Sequence, residues 1–112
     1  MERAELFGRR RFGVRLGLDA LRAVDARLGQ PCEGLPCVSI VGTNGKGSTA
    51  AMVAHGLQGR GIRVGLFTSP HLSAVEERVR IDGQMVSASE LDAALELVQS
   101  AERQAGVALT FF

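Results

Sequence analysis

The sequence has 112 residues, with 13 Lys and Arg against 12 Asp and Glu, for a formal net charge of +1. That length supports one small domain with a core rather than two, and the near-neutral balance gives no general pull toward nucleic acid or a membrane surface. Hydrophobic content of 46% with 4% aromatics fits a soluble α/β protein, and no apolar run approaches the roughly 20 residues needed to cross a bilayer.

Residues 1–16 are basic and weakly patterned, with Arg9-Arg10-Arg11 at their centre. They leave open either an anionic partner or a solvated leading segment, and the second is the reading taken. Met1 to Glu5 is charged and has no apolar core, so a cytoplasmic location is expected. Leu18, Leu21, Val24 and Leu28 share one face of a predicted helix, closed by Gly29 and kept closed by Pro31. Cys32 and Cys37 lie in the linker that follows. Without a second cysteine pair or an adjacent histidine they read as free thiols in a reducing compartment.

Val38-Ser39-Ile40-Val41 reads as a buried strand, within a predicted span of 37–41. It runs into Gly42-Thr43-Asn44-Gly45-Lys46-Gly47-Ser48-Thr49. Strand, glycine loop, lysine, hydroxyl and helix together form a phosphate-cradling loop. Glycines let backbone N–H groups converge on phosphate oxygens, and the helix that follows turns its positive end to the same place. Lys46 is the only lysine in the chain, the other twelve basic residues being arginines. The spacing departs from the general pattern, with the first glycine at Gly42 instead of position 40 and Gly47 between the lysine and Ser48.

A helix is predicted over about 46–58, ended by Gly59-Arg60-Gly61, and a second strand over 63–67. Together these give a right-handed βαβ unit with parallel strands. Thr68-Ser69-Pro70-His71-Leu72 leaves the carboxyl end of that strand, the edge at which ligands gather in open parallel sheets. Glu77 to Ile81 alternates as a half-exposed strand, and Asp82-Gly83 marks a tight turn. Ser87 with Glu90 is a capping box. The helix after it carries Leu91, Ala94, Leu95, Val98 and Ala101 on one face and ends at Gly106. Residues 107–112 are apolar and strand-like. His55, inside the helix after the loop, has no ligand-forming neighbours and reads as structural.

Gly42 to Ser48 resembles the ATP loop of the Mur ligase superfamily, in the form used by folylpolyglutamate and dihydrofolate synthases. Gly17-Leu18-Asp19, Thr68 to Leu72, Glu77 to Ile81 with Gly83, and Leu109 to Phe112 resemble further motifs of that family, in the same order. The resemblance covers roughly residues 13–112. It implies the P-loop-type three-layer α/β fold with a mostly parallel sheet, here incomplete. The chain looks like the amino-terminal quarter of such an enzyme, truncated and expected to be inactive alone. Residues 1–36 would be a leading segment and helix, and 37–112 the nucleotide-binding core.

The resemblance also implies the chemistry. A folate-type carboxylate takes the γ-phosphate of ATP as an acyl phosphate, and L-glutamate then displaces phosphate to form an amide. Such a reaction needs charge neutralisation around the phosphoryl group more than a nucleophilic side chain. By family match Gly42, Thr43, Asn44, Gly45, Lys46, Gly47 and Ser48 hold the ATP phosphates, with Lys46 stabilising the developing charge, and Ser69 is a Mg2+ ligand. Gly13, Val14, Arg15, Leu16, His71, Thr110, Phe111 and Phe112 are implied substrate contacts. His71 is equally open to a turn role, and Phe111 and Phe112 to the core of a strand. The expected partners are dihydropteroate or folate, L-glutamate and ATP, with neither nucleic acid nor membrane, and the full-length form is expected to be a monomer. A cell-wall amino-acid ligase of the same superfamily and a non-catalytic nucleotide-binding remnant are the alternatives.

Overall fold

The computed structural model describes residues 3–9 and 18–111. They form two compact units, one of Met1–Leu35 with Asp92–Phe112 and one of Pro36–Leu91.

The first unit contains α1 (Arg3–Gly8), α2 (Asp19–Arg27) and the part of α4 (Ala88–Ala105) from Asp92 onward. Among the described residues its buried apolar ones are Leu6, Val24 and Ala101, with Val24 only 2% exposed. α2 ends as its sequence predicts. Gly29 takes φ 79°, its N–H bonds to Ala26 O, and the Gln30 N–H reaches back to Asp25 O. This pair of bonds is a Schellman closure, which needs a left-handed residue at the glycine position. α4 closes the same way at Gly106, through Gly106 N–H to Arg103 O and Val107 N–H to Glu102 O.

The second unit contains α3 (Lys46–Gly59) and three short strands, β1 (Gly65–Phe67), β2 (Val79–Ile81) and β3 (Gln84–Met85), with a 3-10 turn at Val75–Arg78. The sheet order is β1-β2-β3 and both pairings are antiparallel, with Leu66 opposite Arg80 and Ile81 opposite Gln84. Asp82 and Gly83, at φ 49° and 80°, make the two-residue hairpin turn predicted for them, because both central positions of that turn need positive φ. α3 contacts β1, and Gln58 of α3 donates to Asp82 O at 2.8 Å.

Three expectations change at this level. Residues 37–41 join no sheet among the described residues, and Val38 and Val41 are exposed rather than buried. The parallel βαβ pairing is therefore not formed among the described residues. β1 pairs with β2, nearer in sequence and joined to it through residues 68–78. Alternating apolar residues specify an extended backbone but not its partner. Glu77 and Arg78 belong to the 3-10 turn, so the predicted strand over 77–81 starts only at Val79. Residues 107–111 likewise form no strand. The α/β class and the helices at 19–27, 46–59 and 88–105 stand.

Candidate functional site

The loop before α3 is built around two glycines in positive φ, Gly42 at 150° and Gly45 at 77°. Gly45 is the N-cap of α3, and no side chain caps that end. The first bond of the helix runs from Thr49 N–H to Gly45 O. The N–H groups of Lys46, Gly47 and Ser48 precede it, so by helix geometry none has an i−4 partner, and they point out of the helix end. The first turn holds no acidic residue. A helix start of this kind attracts an anion, yet its first residue is a cation. Lys46 Nζ is drawn back over the loop, donating to Gly42 O at 2.6 Å and to Thr43 O at 3.4 Å. Thr43, Asn44 and Ser48 are exposed beside it. Converging amides, one ammonium and small hydroxyl side chains are a donor set suited to a chain of phosphates.

The second predicted element, Thr68 to Leu72, lies in the same compact unit. It is held from behind. Thr68 N–H donates to Arg78 O at 2.9 Å, and Arg78 Nε donates to His71 Nδ1 at 2.8 Å. With Nδ1 as acceptor, the neutral His71 ring carries its proton on Nε2. His71 is half-buried and Leu72 is exposed. The Glu77 carboxylate accepts the N–H groups of Leu72, Ser73 and Ala74 at 2.8–2.9 Å. Those backbone donors, Leu72 first and then Ala74 and Ser73, hold its pKa down at about 2, because they stabilise only the ionised form. Ser69 stands between the ties at Thr68 and His71. Among the described residues no group of three or more His, Cys, Asp and Glu side chains is placed to hold a metal.

Of the predicted substrate residues, Gly13, Val14, Arg15, Leu16 and Phe112 lie outside the described residues. Thr110 is exposed, and the Phe111 ring stacks on Phe7 with centroids 5.9 Å apart. These two belong to the other unit. There the structure corrects the reading of Arg9 as part of a solvated segment. Its guanidinium forms a two-pronged ion pair with Glu102 at 2.5 and 2.8 Å, with side chains 17% and 6% exposed. The same pair captures both polar groups of Leu109. Its N–H donates to Glu102 at 2.6 Å and its carbonyl accepts from Arg9 at 3.2 Å. Sequence reading missed Glu102, although a signal was present. It falls four residues after Val98 and seven after Leu95, on the apolar face of α4, where an acid calls for a buried partner. His55 is exposed on α3 and lines a shallow cleft with Gln58, Leu66 and Arg80.

No family model matches the chain. Among curated proteins it is 41% identical over 88 residues to the dihydrofolate synthase/folylpolyglutamate synthase of Bacillus subtilis, covering 79% of this chain and 20% of that one. It is 36% identical over 99 residues to the enzyme of the same name from Escherichia coli, covering 88% and 23%. Among solved structures it resembles E. coli FolC in complex with DHPP and ADP, with a TM-score of 0.84 and 35% identity over 97% of this chain and 26% of that one. It also resembles the Yersinia pestis bifunctional folylpolyglutamate synthase/dihydrofolate synthase complexed with AMPPNP and Mn, with a TM-score of 0.85 and 32% identity over 97% and 26%. The chain thus spans about a quarter or less of the length of these relatives.

Proposed function

For a chain that belongs by sequence and fold to the folylpolyglutamate/dihydrofolate synthase family, we propose that Gly42–Ser48 is the ATP-phosphate loop of a folate ligase. The activity is the joining of L-glutamate to a folate-type carboxylate at the expense of ATP. One observation carries this reading: a lysine stands at the first position of a helix whose end has neither a side-chain cap nor an acid. A cation there opposes the helix dipole, and phosphate oxygens remove the conflict. The Lys46 ammonium then exchanges the carbonyls of Gly42 and Thr43 for phosphate oxygens, while the N–H groups of residues 46–48 point at the same anion.

The donor set fits the divalent cation only in part. Ser69 offers one hard oxygen, and Mg2+ suits a site in which phosphate oxygens and water complete the coordination. When bound, the cation neutralises phosphate charge during phosphoryl transfer. Within the first unit Thr110 and Phe111 are assigned as substrate contacts, Phe111 offering a flat face to a heterocycle; within the second, His71 is assigned as one.

The test is titration of the chain with ATP in the presence of Mg2+, beside Lys46→Ala. Loss of a charge-assisted contact of about 1.5–3 kcal/mol weakens affinity roughly 10- to 100-fold. Equal affinity in the two proteins would sink the assignment.

A further inference from the structure

The loop that carries Ser69 is fixed by two adjacent side chains that the reaction itself does not call on. Glu77 Oε1 accepts from Ser73 N–H and Ala74 N–H, both at 2.8 Å, and Oε2 accepts from Leu72 N–H at 2.9 Å. Arg78 binds the His71 ring through Nε and the Thr68 N–H through its carbonyl. Residues 68, 71, 72, 73 and 74 are therefore all tied to one dipeptide. That dipeptide leads directly into β2, whose Val79 lies opposite Phe67, the last residue before the loop. The loop leaves and returns to the same pair of strands, and the Glu77 carboxylate closes it. Three consecutive backbone N–H groups need an acceptor of this kind. No main-chain carbonyl reaches all three, whereas the two oxygens of a carboxylate offer about four lone-pair sites.

We propose that Glu77 is the positioning residue of this loop: its carboxylate sets residues 68–74 so that the Ser69 hydroxyl is preset for the divalent cation accompanying the nucleotide phosphates. The proposal rests on the assignment of Ser69 made above. Glu77 makes no contact with the cation in this scheme. Removing it therefore lowers the benefit that a cation brings to nucleotide binding and leaves the phosphate loop intact. A residue of merely structural importance would weaken both alike.

The experiment uses the 112-residue chain with Glu77→Gln and Ser69→Ala, and reads two quantities. The first is amide exchange at Leu72, Ser73 and Ala74. The second is ATP affinity with Mn2+ and with EDTA, Mn2+ being the probe ion. In Glu77→Gln the three amides are expected to exchange about tenfold faster or more, as lost charge-assisted bonds imply. The gain in affinity from Mn2+ falls to that of Ser69→Ala, and affinity in EDTA stays at the wild-type value. A Glu77→Gln protein that keeps the wild-type Mn2+ gain, while Ser69→Ala loses it, overturns the role given to Glu77 alone. A wild-type chain that gains nothing from Mn2+ overturns the Ser69 assignment and this proposal together. A folded Glu77→Gln that loses ATP binding in EDTA refutes the positioning role. If Glu77→Gln fails to fold, as circular dichroism reads directly, Glu77→Asp is read in the same two assays. There the two effects must again fall together, and cation gain lost with the amides still protected refutes the positioning role.

Discussion

Replacing Glu102 by alanine tests the buried pair that holds the first unit together. The change removes both guanidinium contacts and the acceptor for Leu109 N–H, leaving Arg9 with Leu109 O. Were the pair exposed, the cost would be about 0–1 kcal/mol. With Glu102 buried and Arg9 half-buried, side chains 6% and 17% exposed, the pair lies closer to the buried case, where removing one partner costs about 3–5 kcal/mol. Arg9 keeps some access to water, so we expect the lower end, about 3 kcal/mol. This is a large share of the roughly 5–15 kcal/mol available to a domain.

Urea denaturation followed by circular dichroism reads the effect, with Arg9→Ala and the double variant completing the cycle. The coupling energy should be about 2 kcal/mol or more. The pH dependence adds an independent check. The hydrogen bond from Arg9, aided by that from Leu109 N–H and opposed by burial, holds the Glu102 carboxyl below its ordinary value of 4.5. A depressed carboxyl contributes stability that is complete above the unfolded value and is lost as pH falls through the folded one. The wild type should therefore lose stability below about pH 4.5 by a component that Glu102→Ala lacks. A Glu102→Ala cost under about 1 kcal/mol, the range of an exposed pair, with the same acid profile as wild type, would refute the reasoning.

Carbon-13 NMR of the Glu77 carboxyl should show a midpoint near 2, so that the loop contacts persist to well below pH 4; a midpoint at the ordinary 4.5 would mean the three N–H bonds are not made. Ser87→Ala removes the hydroxyl that accepts Glu90 N–H at 3.1 Å, half of a reciprocal box in which Ser87 N–H donates to Glu90 at 2.7 Å. The expected loss is about 1 kcal/mol in a denaturant titration, and no change would remove the cap from the account. Gly83→Ala places a Cβ at φ +80° and 3.1 Å from Gln58 Oε1, costing about 1–2 kcal/mol for the left-handed backbone alone. A melting temperature equal to wild type would mean the hairpin takes another turn.

What the sequence made legible was local. Gly29, Gly106 and the Asp82-Gly83 pair announce positive φ within one or two residues. Ser87 and Glu90 announce a helix start within four. Gly42 to Ser48 announces its loop in seven. Such features satisfy backbone groups with neighbours in the chain, so the signal and the structure occupy the same residues. The rest depends on partners far along the sequence. Arg9 and Glu102 are 93 positions apart, and nothing in the run of three arginines says which one is buried. The apolar run at 37–41 reads as a strand, yet it joins no sheet among the described residues. Glu77 was misplaced because an alternating apolar pattern over 77–81 is also what a turn followed by a short strand produces. Its three backbone partners lie upstream, in a loop whose shape only the folded chain supplies.

The latch between Lys46 and the carbonyls of Gly42 and Thr43 has a consequence for chemical labelling. Since the sequence contains a single lysine, a reagent selective for ε-amines finds one side chain in the whole stretch, at the loop proposed to hold phosphate. Carbamylation or acetylation there would abolish the ammonium charge and loosen the hold of the side chain on the loop carbonyls in one step. If nucleotide sits there as proposed, an analogue that delivers an acyl group to a nearby amine would mark Lys46. The yield of that mark, and its suppression by unreactive ATP, turns a lone residue into a direct gauge of how fully the loop is filled.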